Sequence, residues 1–211
     1  MQKKTLFDLE NLIDVMTDNV KDDIKDFNDL VNLDGCLNRE IYLGDITEGV
    51  GQTVDSYIRF WNRYDDIHNI PINERQPIKI YIDSNGGCLT DTLTMIDAIE
   101  MSKTPIWTIV TGSAYSGGFF TGITKCARRL AYPHASFMFH EGSTSTGGDA
   151  HKFRNYAEFY EKELEQLKAH VLKNTKISEE KYESIKRDDF WLTAEEAIEY
   201  GVIDEITEEL I

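Results

Sequence analysis

Residues Thr104–Arg128 read TPIWTIVTGSAYSGGFFTGITKCAR. Pro105 opens an apolar, largely β-branched run, Ile106–Val110, whose composition predicts a buried strand. Gly112, Ser113, Ala114, Ser116, Gly117 and Gly118 follow, and this small-residue cluster predicts a tight turn. Phe119–Arg128 then predicts a helix with cations in its last turn, where the helix dipole favours them. Ser116 stands at the corner between strand and helix. A serine there projects its hydroxyl from a sharp bend, beside unpaired N–H groups of the first helical turn, including that of Gly117. Ala114-Tyr115-Ser116-Gly117-Gly118 is a small-x-Ser-x-small string, close to a nucleophile elbow with Ala for the first Gly. The same string also suits a turn packed on a neighbouring backbone, and the residues alone leave both uses open.

Working outward, 211 residues suffice for one domain with a sizeable core, or one domain and an extension. No apolar run approaches the roughly 20 residues that span a bilayer, and the acid-interrupted N-terminus, MQKKTLFDLENLIDVMTDNV, lacks a signal-peptide core. A cytoplasmic protein is expected. The net charge of −16 disfavours nucleic acid and anionic membrane as partners. Cys36, Cys88 and Cys126 form no CxxC pair, which argues against a disulfide framework or a zinc site.

Residues 1–35 are set apart as an acidic N-terminal extension with helical spacing of Leu6, Leu9, Leu12, Ile13, Met16 and Val20. Residues 36–211 form the domain. Glu40–Gly44 predicts a short strand ending at Gly44, Thr47–Tyr64 a helix, residues 65–77 a polar loop and Ile78–Ile82 an alternating strand. A glycine turn, Asp83-Ser84-Asn85-Gly86-Gly87-Cys88-Leu89, leads into a helix over Thr90–Ser102. Strand, turn, helix and strand make a βαβ unit, so an α/β fold with a largely parallel sheet is expected. The glycine turn lacks GxGxxG and GxxxxGK[ST], which weakens a nucleotide reading. Its other use is as a backbone N–H donor near a reacting carbonyl. Ala135–Phe139 predicts a strand ending at His140, followed by the flexible EGSTSTGG and a long charged helix over Lys152–Asn174 that suits a projecting arm packed on another subunit. Ser178 reads as an N-cap, Thr193-x-x-Glu196 as a capping box and Gly201 as a C-cap.

A serine nucleophile needs a base, and the base needs an orienting carboxylate. His68 lies in a loop, His134 follows Pro133, and His151 and His170 fall in or beside the charged helix, where solvated side chains are the default. His140 ends an apolar strand and enters a glycine-rich loop, which makes it the best-placed base; a structural histidine fits the same position. Carboxylates are too abundant to choose by type, but Asp188 and Asp189 stand before an aromatic pair and a capped helix.

Five segments in order resemble the proteolytic subunit of the ATP-dependent Clp protease, the ClpP family: REIYLGDI, IKIYIDSNGG, GSAYSGGFF, SFMFHEG and RDDFWLTAEEAIEYGVID. They run from about Arg39 to Asp204. The resemblance implies a ClpP/crotonase-like α/β fold with a projecting handle helix from about Lys152. It implies Ser116 as nucleophile, His140 as general base and Asp189 as the acid orienting it, with the N–H groups of Gly87 and Gly117 as the oxyanion hole. It implies no metal and no cofactor in this chain, two stacked seven-membered rings of identical subunits with the sites inside, unfolded polypeptide as substrate, and a Clp-type unfolding ATPase as the partner that consumes ATP. The chain departs from the family's pattern at Asn85, where proline is usual, and at Glu141-Gly142, where Gln-Pro is usual. Asp188 stands where an arginine is common, with Arg187 one place back. Two other readings are carried: a non-proteolytic structural or regulatory ring subunit, and a crotonase-like acyl-CoA enzyme.

Overall fold

The computed structural model describes residues 34–145 and 147–211. The extension read over residues 1–35 therefore lies, up to residue 33, outside the described residues. In chain order the elements are β1 (Glu40–Leu43), α1 (Val50–Ile67), a 3₁₀ turn (Ile72–Glu74), β2 (Ile78–Ser84), α2 (Leu89–Met101), β3 (Ile106–Tyr115) and α3 (Gly117–Ile123). They continue with β4 (Arg128–Ala131), β5 (Ser136–Phe139), α4 (Ala150–Asn174), α5 (Glu179–Ile185), β6 (Phe190–Thr193), α6 (Ala194–Glu199) and β7 (Glu205–Ile206).

β1, β2, β3, β4 and β7 lie side by side in that order, every pair parallel. β3 is long enough to serve two neighbours. Its first half pairs with β4 and its last residues, Ser113–Tyr115, pair in parallel with β5. β6 closes that upper layer antiparallel to β5. The expected α/β fold with a mainly parallel sheet is present, with β5 and β6 as the antiparallel exception.

The alternation in β2 explains the layering. Ile78, Ile80 and Ile82 are fully buried on one face, within the main core that includes Val54, Ile58, Met95 and Ile99 from α1 and α2. Tyr81 faces the other way and packs with Ile109 and Leu130 in a smaller cluster. One face of the sheet is thus covered by helices. The N-cap of Ser178 and the complete Thr193–Glu196 capping box are formed as the sequence predicts.

Four sequence expectations are corrected. The turn read from Gly112 onward begins only at Ser116, because β3 continues through Gly112 and Ser113. The Asp83 carboxylate lies against Gly112, and it accepts from Ser113 N (2.9 Å) and Ser113 Oγ (2.8 Å). This is where β3 takes two extra residues relative to β2. The helix read over Phe119–Arg128 stops at Ile123, and its supposed terminal cations belong elsewhere. Arg128 begins β4 with its guanidinium 4.7 Å from the Trp107 ring centre, and Arg129 pairs with Asp204. The polar loop from residue 65 is in part the end of α1. Asp65 is fully buried there in a two-pronged pair with Arg39. His170 is not solvated: its ring is 9% exposed and lies 3.1 Å from Phe120 O and 3.3 Å from Thr124 Oγ1.

α4 buries side chains only toward its C-terminal end, at Leu167, Val171 and Asn174. Its first turns stand away from the core, with Phe153 and Phe159 each 56% exposed. No helix among the described residues is long and apolar enough to cross a membrane.

Candidate active site

β3 delivers Ser116 to the edge of the sheet. Its backbone has φ 51° and ψ −117°, a conformation that L-residues rarely adopt and that surrounding bonds must hold. Ser116 N donates to Met138 O in β5 (2.9 Å), and Phe120 N donates to Ser116 O (3.2 Å). The strained corner is pinned from the sheet side and from the helix side, and α3 starts at the next residue, Gly117.

β5 runs beside the end of β3, so the residue after β5 arrives next to Ser116. That residue is His140. Its Nε2 lies 2.8 Å from Ser116 Oγ, within hydrogen-bonding distance. β6, antiparallel to β5, brings residue 189 to the same level. Asp189 Oδ1 lies 3.5 Å from His140 Nδ1, a contact longer than a good hydrogen bond. The Asp189 side chain is 57% exposed and that of His140 30%. Among the described contacts it is Asp189, and not Asp188, that meets the imidazole. Asp188 instead closes the turn after α5 through its own N–H to Ile185 O (3.1 Å). Ser113, the other serine of the motif, is held by Asp83 away from His140.

The two glycine turns meet above the serine. Ile46 N donates to Gly86 O (2.8 Å) and Cys88 N donates to Ile46 O (2.7 Å). That short bridge uses the amide of Cys88 and leaves the Gly87 N–H facing the other way. Gly87 has φ +145°, and a Cβ there would lie 2.1 Å from Ile46 O, so only glycine fits. A Cβ on Gly117 would lie 2.6 Å from Thr92 Oγ1 and 3.4 Å from Gly87 N. The two backbones therefore touch, and among the described residues neither N–H is taken by an acceptor. Paired free amides beside a hydroxyl are the arrangement that stabilises negative charge on a carbonyl oxygen.

Sequence reasoning missed the support of this turn. Asn85 donates its N–H to Asp45 Oδ1 at 2.8 Å, a bond that a proline in its place would not make. Nothing local in the sequence signals it, since the partners are forty positions apart. The floor of the cleft was missed as well. A hollow of about 530 Å³ runs from Ser116, Gly87 and Gly117 to Tyr156, Tyr160 and Glu163 of α4. The helix read as a subunit contact also walls the site. The signal was present in the aromatic spacing of Tyr156, Phe159 and Tyr160, which one solvent-facing arm does not need. Among the described residues no group of three or more His, Cys, Asp and Glu lies together as a metal would require.

A serine corner, a neighbouring histidine and paired glycine turns thus converge in one cleft of a mainly parallel sheet. The pattern of the Clp protease family matches residues 70–210. The ATP-dependent Clp protease proteolytic subunit 1 of Streptomyces avermitilis is 34% identical over 145 residues, covering 65% of this chain and 64% of that protein. The proteolytic subunit 3 of Synechococcus sp. (strain CC9605) is 28% identical over 176 residues, 81% of this chain and 82% of its own. The proteolytic subunit 2 of Prochlorococcus marinus is 29% identical over 174 residues, 80% and 82% of the two chains. The chain belongs to the Clp protease family, and the class its relatives define is a peptidase subunit.

Proposed function

We propose that the chain is a serine endopeptidase acting through Ser116, His140 and Asp189. The observation that carries this reading is the 2.8 Å approach of His140 Nε2 to the hydroxyl of a serine held in a strained corner. Ser116 Oγ attacks the peptide carbonyl while His140 Nε2 takes its proton. The oxyanion accepts from Gly87 and Gly117 N–H. The C–N bond then breaks, the amine leaves with the proton from His140, and the acyl group stays as an ester on Ser116. A water gives its proton to His140, attacks the ester, and frees the acid and the serine. Asp189 orients His140 with Nδ1–H toward the carboxylate, so that Nε2 is the basic nitrogen. No cofactor enters these steps.

The relatives are named as proteolytic subunits of an ATP-dependent protease. We extend that to this chain: identical subunits form stacked heptameric rings in the cytoplasm, unfolded polypeptide is the substrate, and a Clp-type ATPase supplies it and consumes the ATP. The exposed first turns of α4 support the reading of a ring contact. A second reading, a ring subunit without peptidase activity, draws on the long His140–Asp189 contact. Membership of a protease family removes the ground for the acyl-CoA reading.

Labelling with a small fluorophosphonate, mapped by peptide mass spectrometry alongside native mass, tests the proposal. Label on Ser116 in a large ring is the expected result. A large ring with an unlabelled Ser116 would favour the non-proteolytic reading, or a ring held in an inactive state.

A further inference from the structure

The hollow beside Ser116 has a chemistry of its own. The hollow adjoins Ser116, Gly87 and Gly117, so it is open to the side chain of a peptide residue whose carbonyl sits on them. That space is walled by Phe120 and Leu167 on the apolar side, and by Tyr156 and Tyr160 of α4, whose rings are parallel within 11°. Two carboxylates, Glu141 and Glu163, also line it.

Glu141 is half-buried and held by a neighbouring hydroxyl. Tyr182, whose side chain is fully buried, donates its hydroxyl to Glu141 Oε1 at 3.1 Å, and burial and this carboxylate together push the Tyr182 hydroxyl well above its usual pKa. One Glu141 oxygen is thereby anchored and the other is left for the cleft. Among the described residues neither Glu141 nor Glu163 has a cationic partner. Lys186, whose carbonyl accepts from Glu141 N, has its ammonium 2.6 Å from Glu183. Gly142, with φ +86°, lies at the rim, where a Cβ would come 3.6 Å from the Tyr160 hydroxyl, an ordinary contact distance. Apolar walls suit an aliphatic stem, and aromatic faces and unpaired carboxylates suit the cation at its end.

We propose that this cleft selects a lysine or arginine as the residue whose carbonyl Ser116 attacks, with Glu141 and Glu163 as the specificity-determining carboxylates. The inference rests on the reading of Ser116 as nucleophile and deepens it.

The test uses the full chain and two peptidyl diphenyl phosphonates that differ only at this residue, one carrying the lysine side chain and one the uncharged norleucine side chain. Ser116 Oγ forms a bond to phosphorus, a P–O bond to phenoxide breaks, and the serine proton leaves through His140 with the phenol. The lysine probe is expected to label Ser116 roughly tenfold to a hundredfold faster, the range of one charge-assisted contact. Glu141→Gln and, separately, Glu163→Gln should lower that ratio, with the lysine rate falling more than the norleucine rate. Equal rates, or faster norleucine labelling, would overturn the specificity while leaving the nucleophile in place. So would a ratio that neither substitution changes. Label from a small fluorophosphonate but from neither peptide would also overturn it, since the hollow would then not receive the side chain. No label on Ser116 from any of the three reagents would remove the peptidase reading and this inference with it.

Discussion

His140 Nδ1 and Asp189 Oδ1 are 3.5 Å apart, whereas His140 Nε2 and Ser116 Oγ are 2.8 Å apart. The imidazole approaches the serine hydroxyl more closely than it approaches the carboxylate. The reason is in the topology. His140 and Ser116 are tied through adjacent parallel strands, and Asp189 sits on the exposed entry to a four-residue strand.

Substitutions separate the three roles. Ser116→Ala and His140→Ala should each lower peptide turnover by roughly 10⁴ to 10⁶. Asp189→Asn should lower it by roughly 10² to 10⁴, since serine and histidine still meet. Asp188→Asn should cost at least about tenfold less than Asp189→Asn. Steady-state kinetics on one peptide checks the order, and an equal or larger loss at Asp188 would show that the wrong carboxylate has been assigned.

Gly87→Ala tests the oxyanion turn. The added methyl would meet Ile46 O at 2.1 Å, and backbone on both sides must shift. Displacing one of two N–H donors should reduce kcat by roughly 10² to 10³. The fluorophosphonate labelling rate of Ser116 should fall in parallel, and unchanged labelling would place the donor elsewhere.

Asp65 carries stability rather than chemistry. Its carboxylate, fully buried, accepts from Arg39 Nη2 (2.7 Å), Arg39 Nη1 (2.9 Å) and Thr104 Oγ1 (2.7 Å), and the guanidinium lies 4.5 Å from the Trp61 ring centre. Asp65→Ala strands a buried arginine, so urea unfolding should show a loss of about 3–5 kcal/mol. A loss below about 1 kcal/mol would mean that water reaches Arg39 freely.

His170 gives the fold a pH dependence. Burial lowers its pKa below the ordinary 6.5, against the opposing pull of Phe120 O and Glu100. A lowered folded-state value means the unfolded chain binds the proton first. Stability is therefore full above about pH 6.5 and declines as pH falls toward the folded-state pKa. Thermal unfolding between pH 7 and 5 should show a steeper decline for the native chain than for His170→Gln, and identical slopes would assign the decline to other groups.

Much of this was legible in the chain. The apolar alternation of Ile78–Ile82 predicts a strand with one buried face, because side chains on a strand alternate. The small residues around Ser116 mark the corner, and the capping box at Thr193 marks the last helix, because both are local effects of backbone sterics and nearby hydrogen bonds. The family resemblance supplied the three site residues by position. Where the sequence misled, a distant group had overridden a local preference. Gly112 and Ser113 read as a turn until Asp83 holds them extended. Lys125 and Arg128 read as helix-terminal cations until β4 is needed beside β3. His170 reads as solvated until α3 packs over it. Asp188 and Asp189 are indistinguishable as letters, and only the antiparallel pairing of β6 with β5 sets Asp189 beside His140. The same holds for the cleft: Glu141 and Glu163 lie twenty-two positions apart, and only the path of α4 across the mouth of the sheet brings them to one hollow. Local sterics and periodicity determined the elements from sequence. Long-range pairing, which no short window of residues encodes, decided which side chains meet.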